Sequence, residues 1–138
     1  MRRTLLGPRD DVPALLAAMD VVVQSSRREA MAQTTLEAMA VGRPVVSTTT
    51  VGADEAIEDG VSGLLVPVGD VAALADRIHA LAIDPARRAA LGAAARCRVA
   101  ENFTRERMLD RCEAILAAIR GATDVARQPD TAALRRVL

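Results

Sequence analysis

A chain of 138 residues with 51% hydrophobic content is long enough to bury one sizeable core and too short for two. Its 18 basic residues, every one an Arg, balance 18 acidic ones, which argues against a general nucleic-acid or acidic-membrane surface and removes the lysine that Schiff-base or phosphate-loop chemistry needs. Phe103 stands alone among Phe, Tyr and Trp, so stacking platforms for single-stranded nucleic acid are missing too.

Apolar runs and punctuation alternate along the chain in the manner of strands and helices. Thr4–Leu6 reads as the end of a strand, followed by a Gly7-Pro8 turn and a short helix from about Val12 to Met19 with Asp11 as its N-cap. Val21–Val23 is a short buried strand, Gln24–Arg28 the loop after it, and Gln33–Val41 a helix closed by Gly42, where a left-handed cap is wanted. Pro44 leads into a strand at Val45–Ser47. Thr48–Gly63 reads as a polar, glycine-bearing connection, and Leu64–Val66 as one more buried strand. Asp70 caps a helix with Val71, Leu74, Ile78 and Leu81 at helical spacing. Asp84-Pro85, an N-cap followed by Pro at the first helical position, opens another helix through about Val99. Thr104 starts the last, whose apolar stripe is Met108, Cys112, Ile115 and Ile119. Residues 1–121 form one domain, and 122–138 lose periodicity and read as a loosely held arm.

Cys97, Cys112 and the lone His79 match no metal-ligand spacing and read as structural. The N-terminus lacks the apolar run of a secretory signal, and no stretch approaches the roughly 18 apolar residues of a membrane span. A cytoplasmic, reducing location is the default expectation.

Short apolar strands separated by helices predict an α/β fold with a parallel sheet covered on both faces. In such sheets ligands bind at the carboxyl ends of the strands, close to a helix N-terminus that suits an anion. Glu29 falls in the loop leaving the strand at Val21–Val23, and Glu37 one turn into the following helix. From Leu36 to Gly42, Glu37 is the only polar side chain, so the helix reads as buried on every face. An ionised carboxylate there costs several kcal/mol unless it meets donors. Those donors are either a ligand's hydroxyls or amides, or a buried Arg. Between the acids, the backbone at Ala32, Gln33 and Thr34 forms the helix N-terminus and can donate to a phosphate. Two carboxylates flanking an anion site suit hydroxyls on either side of it, the layout of ribose, diphosphate and hexose in a nucleoside diphosphate sugar.

The run S-R-R-E-A-M-A-Q-T-T-L-E-A-M-A-V-G-R-P-V-V-S-T, then V-G-A-D-E-A-I-E-D-G-V-S-G-L-L-V-P-V-G-D, resembles the E-x7-E motif and following segment of retaining GT-B glycosyltransferases of group 1, family-4-like. The likeness extends upstream to L-G-P-R-D-D-V-P-A-L-L-A-A-M-D-V and downstream to F-T-R-E-R-M, roughly Leu5 to Ile119. It implies part of the Rossmann-like C-terminal domain of a GT-B enzyme, moving a hexose from a nucleotide sugar with no further cofactor and no protein-supplied metal ligand. Glu29 then contacts the donor sugar at the reacting carbon as the catalytic residue, and Glu37 binds the ribose hydroxyls. Ala30, Met31, Ala32, Gln33 and Thr34 complete the donor site, the backbone amides of the last three holding the diphosphate. Gly7, Pro8 and Arg9 lie where the family touches the base. The partners implied are the nucleotide-sugar donor and an acceptor that is a glycan, a lipid or a small molecule, with no nucleic acid. Any peripheral membrane association would belong to an N-terminal domain upstream.

The family most often has Gly after the first Glu and frequently again two residues later, where this chain has Ala30 and Ala32. Gly reaches backbone shapes that Ala resists. Either the loop holds ordinary dihedrals or the sugar subsite is tighter than usual. The resemblance covers only the second half of one of two GT-B domains. The usual Arg and Lys clamp on the diphosphate lies upstream, and Arg27 and Arg28 read as solvated loop residues. The chain is therefore expected to be part of a longer protein and inactive by itself. A rival reading is a non-catalytic binding or interaction module. A receiver-like signalling domain, also a small α/β fold, needs a lysine that is absent.

Overall fold

The computed structural model describes residues 4–127, with side chains to residue 120. The elements are α1 (Val12–Ala17), β1 (Val22–Gln24), α2 (Gln33–Ala40), β2 (Val45–Thr48), α3 (Val51–Ala56), β3 (Leu64–Val66), α4 (Val71–Ile83), α5 (Pro85–Asn102) and α6 (Arg105–Arg127). The three strands form a parallel sheet in the order β1-β2-β3, with Val22 beside Val45, and Val46 beside Leu64. The central strand β2 is buried along its whole length, as a parallel strand covered on both faces must be.

Alternation along β2 divides the core. Val45 packs with Leu16, Val22, Ala38, Met39 and Ala95, beneath α1, α2 and α5. Val46 points to the other face and packs with Leu64, Val66, Leu81 and Leu91, beneath α4 and the start of α5. The expected α/β sheet with helices on both faces is present. Asp70 and Asp84 cap α4 and α5 as the sequence predicts, each carboxylate accepting a backbone N–H at 2.9 Å, a contact worth about 1 kcal/mol. Gly42, at φ +72°, ends α2, with the Gly42 N–H bonded to the Met39 carbonyl and the Arg43 N–H to that of Ala38.

Three arginines close helix C-termini from neighbouring elements. Arg43 donates to the Ala17 carbonyl at the end of α1. Arg88 donates to Leu81 and Ala82 near the end of α4, at 2.6 and 3.0 Å. Arg98 donates to Ala56 and Glu55 at the end of α3, at 2.7 and 3.0 Å. Each contact satisfies carbonyls that a helix end leaves without an internal partner.

Several sequence expectations are corrected. Thr4–Leu6 is not a strand: it has no neighbouring strand to pair with among the described residues, and Leu5 is fully exposed. Asp11 does not cap α1 with its side chain, because Arg9 occupies both carboxylate oxygens at 2.6 and 2.5 Å and holds the acid below the usual carboxylate range. The stretch Thr48–Gly63 contains helix α3, whose buried face is Gly52, Ala53 and Ala56, residues too small to mark a periodic stripe. The helix carrying Glu37 is one-sided rather than buried all round: Thr35, Ala38 and Met39 face inward, and Glu37 is exposed. Cys97, Cys112 and His79 are exposed.

The chain divides into two compact units after Phe103. In the second, α6 runs without a break past Gly121 to Arg127, and residues 128–138 of the expected arm lie outside the described residues. On α6, Met108, Ile115 and Ile119 of the apolar stripe are each more than half exposed.

With Thr4–Leu6 unpaired, β1 is an edge of the described sheet, and Val23 on it is 40% exposed. Unpaired strand edges invite pairing with a second chain. The 138-residue chain is accordingly expected to self-associate, with a light-scattering mass that rises with concentration. A constant monomer mass would count against that reading of the edge.

Candidate functional site

The carboxyl ends of the three strands open onto one rim. The segment after β1 carries Ser25 to Ala32, β2 ends in Thr48 and continues through Thr49 and Thr50 into α3, and β3 is followed by Val68, Gly69 and Asp70. Thr48 ties the first two segments together by donating its hydroxyl to the Ser26 carbonyl at 2.5 Å. A crevice of about 730 Å³ lies on this rim, lined by Arg27, Arg28, Glu29, Thr49, Thr50 and Asp54 together with Ala30 and Val51. A smaller hollow of about 180 Å³ lies beside it and shares Arg27.

The structure brings Glu29 and Ala30 to the crevice wall. Glu29 is half-buried and has no hydrogen bond or ion pair among the described residues. Met31 and Ala32 lead from the crevice to the start of α2. Ala32 occupies the N-cap position and has no side chain to serve it, unlike Asp70 and Asp84 on α4 and α5. The N–H groups of Gln33 and Thr34 have no partner among the described residues, the unsatisfied arrangement that receives an anion. Glu37 lies one turn further on, exposed, and does not line the crevice. Its carboxylate therefore stays in water, and the burial penalty expected from the sequence does not arise. Pro8 and Arg9 are exposed in the segment before α1, with Arg9 engaged by Asp11.

The backbone decides between the two readings of Ala30 and Ala32. No residue other than Gly has a positive φ among the described residues, so the loop runs in ordinary dihedrals. What it does require is Gly52: a Cβ there would overlap the Ala30 carbonyl oxygen and lie 2.6 Å from the Met31 Cα. Helix α3 thus abuts the loop that carries Glu29.

Residues missed from the sequence come mainly from α3 and the turn before it. Thr49, Thr50 and Asp54 line the crevice, and Arg27 and Arg28 face it rather than merely bulk solvent. Thr50, extended and just ahead of V-G-A-D-E, was the available helix-start signal. Thr35, in the first turn of α2, is 2% exposed, and its hydroxyl has no hydrogen-bond partner among the described residues. Among these residues no three His, Cys, Asp or Glu side chains gather as metal ligands would, and no helix is long and apolar enough to cross a membrane.

Residues 2–84 match the family model described as glycosyl transferases group 1. The chain is 36% identical over 112 residues to the lipopolysaccharide core biosynthesis glycosyltransferase LpsE of Rhizobium meliloti (strain 1021), covering 81% of this chain and 33% of that protein. It is 36% identical over 114 residues to the N-acetyl-alpha-D-glucosaminyl L-malate synthase of Bacillus anthracis, covering 83% of this chain and 30% of that one. Among solved structures, Anabaena HepE in complex with UDP and glucose superposes with a TM-score of 0.77 at 32% identity, over 82% of this chain and 31% of HepE. The chain thus spans about a third of the length of each of these three proteins. Its three-stranded parallel sheet flanked by helices matches the GT-B glycosyltransferase fold. The chain belongs to the glycosyl transferases group 1 family.

Proposed function

We propose that the crevice at the carboxyl edge of the sheet is the donor site of a retaining glycosyltransferase that moves a hexose from a nucleoside diphosphate sugar to an acceptor. The observation that carries this reading is the continuity of Glu29 and Ala30, on the crevice wall, with the uncapped N-terminus of α2. The HepE complex with UDP and glucose supports uridine diphosphate as the nucleotide and glucose as the sugar class.

In this reading the diphosphate sits against the free N–H groups of Gln33 and Thr34, where the helix dipole favours negative charge. Glu37, exposed on α2, takes the ribose hydroxyls, and Pro8 and Arg9 flank the base. Glu29 accepts from the hexose hydroxyls near the anomeric carbon. When the bond from that carbon to the diphosphate oxygen breaks, the electron pair leaves with the nucleotide. Charge grows on the phosphate as it goes, and the α2 amides with Arg27 and Arg28 offset it. The acceptor hydroxyl then bonds through its oxygen to the anomeric carbon on the face the leaving group vacates, and its proton passes to the departing phosphate oxygen. The protein supplies no metal ligand and no further cofactor to this step.

Isothermal titration of the 138-residue chain with UDP and UDP-glucose, run beside a sugar-transfer assay, tests the proposal. Binding of UDP without transfer is expected, because the matched relatives are about three times as long and most of the acceptor side of the cleft is assigned to that additional length. Absence of binding by UDP, ADP and GDP alike would remove the donor-site reading. Turnover by the chain alone at roughly 1 per second or faster would overturn the division of labour.

A further inference from the structure

We propose that the small hollow beside the crevice binds the hydroxylated, anionic end of the acceptor, with Arg27 as the cation facing both ligands; the acceptor part of this inference rests on the donor-site reading. The hollow gathers all three strand ends: Ser25 and Arg27 after β1, Thr48 at the end of β2, Val68 and Asp70 between β3 and α4, and Val71 at the start of α4. At about 180 Å³ it is smaller than the roughly 300 Å³ at which drug-sized pockets begin. It suits a group of a few heavy atoms, not a second nucleotide.

The polar inventory fixes the chemistry. The Thr48 hydroxyl is already committed, donating to the Ser26 carbonyl, with the Gln24 carbonyl also within reach. Asp70 spends one carboxylate oxygen on the Ala73 N–H that starts α4. What stays open is the Ser25 hydroxyl, the second oxygen of Asp70, and Arg27, which is exposed and has no hydrogen bond or ion pair among the described residues. A bare anion placed here meets Asp70 as well as Arg27, so attraction and repulsion oppose each other. An anion that also carries hydroxyls pairs its charge with the guanidinium and donates a hydroxyl to Asp70, satisfying both. Val68 and Val71, 44% and 75% exposed, flank the carbon skeleton of such a ligand. Because Arg27 lines both cavities, a group anchored in the hollow keeps its remaining hydroxyls at the mouth of the crevice, where the donor carbon is read to lie. The ligand class is a hydroxylated phosphate monoester or carboxylate.

Amide NMR of the full 138-residue chain titrated with sn-glycerol 3-phosphate tests this, with inorganic phosphate, glycerol and UDP as parallel probes. Glycerol 3-phosphate is expected to shift Ser25, Val68, Gly69 and Val71, and to bind about tenfold more tightly than inorganic phosphate or glycerol. Arg27→Gln should weaken it about tenfold. Val71→Glu, at an exposed position that tolerates substitution, adds a like charge to the hollow and should weaken glycerol 3-phosphate comparably while leaving UDP affinity unchanged. Shifts confined to Glu29, Ala30, Thr49 and Thr50, or inorganic phosphate binding as tightly as the ester, would overturn the proposal. So would a Val71→Glu chain that binds glycerol 3-phosphate like the parent. UDP binding with no response at the hollow removes this inference alone. A response at the hollow without UDP binding removes the donor reading, and with it the acceptor role, and leaves the recognition of hydroxylated anions standing.

Discussion

Replacing Glu29 by Gln in a full-length glycosyltransferase carrying this segment is expected to lower kcat about a hundredfold and to leave affinity for free UDP within about twofold. The reason lies in position. Glu29 lines the crevice, half-buried and with no protein partner among the described residues, and in the proposed donor-site reading its carboxylate faces the sugar and not the nucleotide. An interaction that strengthens only as the glycosidic bond breaks changes turnover and not ground-state binding. Glu37→Gln should do the reverse. In the proposed reading it removes charge-assisted bonds to ribose hydroxyls worth about 1.5 to 3 kcal/mol, which corresponds to a ten- to hundredfold loss of UDP affinity. Glu37 is exposed, so its replacement leaves no buried group unpaired, and a folding defect cannot imitate the result. Measuring UDP affinity and kcat for both variants decides the matter. Equal losses of affinity, or none in either, would mean that the two acids are not divided between sugar and ribose.

Gly92→Ala should destabilise the chain by about 2 kcal/mol and lower its Tm by roughly 8 °C. Gly92 sits in the middle of α5, where Ala would ordinarily be favoured by about 1 kcal/mol. Here, however, a Cβ would overlap the Gly42 carbonyl oxygen and come within 2.9 Å of its carbon. Gly42 is itself fixed at φ +72° as the end of α2, so the backbone cannot yield cheaply. Overpacking against such a neighbour costs about 3 kcal/mol, which exceeds the gain in helix propensity. Ala93→Gly, at the exposed neighbouring position, is the control and should cost only the propensity difference, about 1 kcal/mol. Thermal melts of both variants distinguish the effects, and a Gly92→Ala chain that melts above the parent would refute the close-approach argument.

The long and strongly punctuated elements were legible in the sequence. Asp70, Asp84-Pro85 and Gly42 each mark a helix end through one side chain or one backbone shape, and each does so in the structure. The strands at Val45 and Leu64 were legible because burial on both faces leaves an uninterrupted apolar run. Helix α3 was hidden because its inward face is Gly52, Ala53 and Ala56, selected for closeness to the Ala30 loop and without the bulk that a periodic pattern registers. With α3 went Thr49, Thr50, Val51 and Asp54, half of the crevice wall. Glu37 was picked out by an argument about burial that the fold does not support, since a helix apolar in composition need not be apolar in surroundings. The strand at Thr4–Leu6 failed for a related reason: pairing is a property of two segments, and one segment's composition cannot establish it.

The three arginine contacts at helix ends bear on how the molecule breathes. The final turn of a helix ordinarily frays, because its carbonyls hydrogen-bond equally well to water. In α1, α3 and α4 a guanidinium reaches those carbonyls from the turn after α2 or from α5, so opening a final turn there also means breaking a tertiary contact. Local opening in these helices is thereby coupled to separation of the elements that bear the arginines, and amide protons in their closing turns should exchange with solvent at rates closer to those of global unfolding than to those of free helix ends. For α3 this carries the same restraint to Asp54 and, through Gly52, to the loop that presents Glu29.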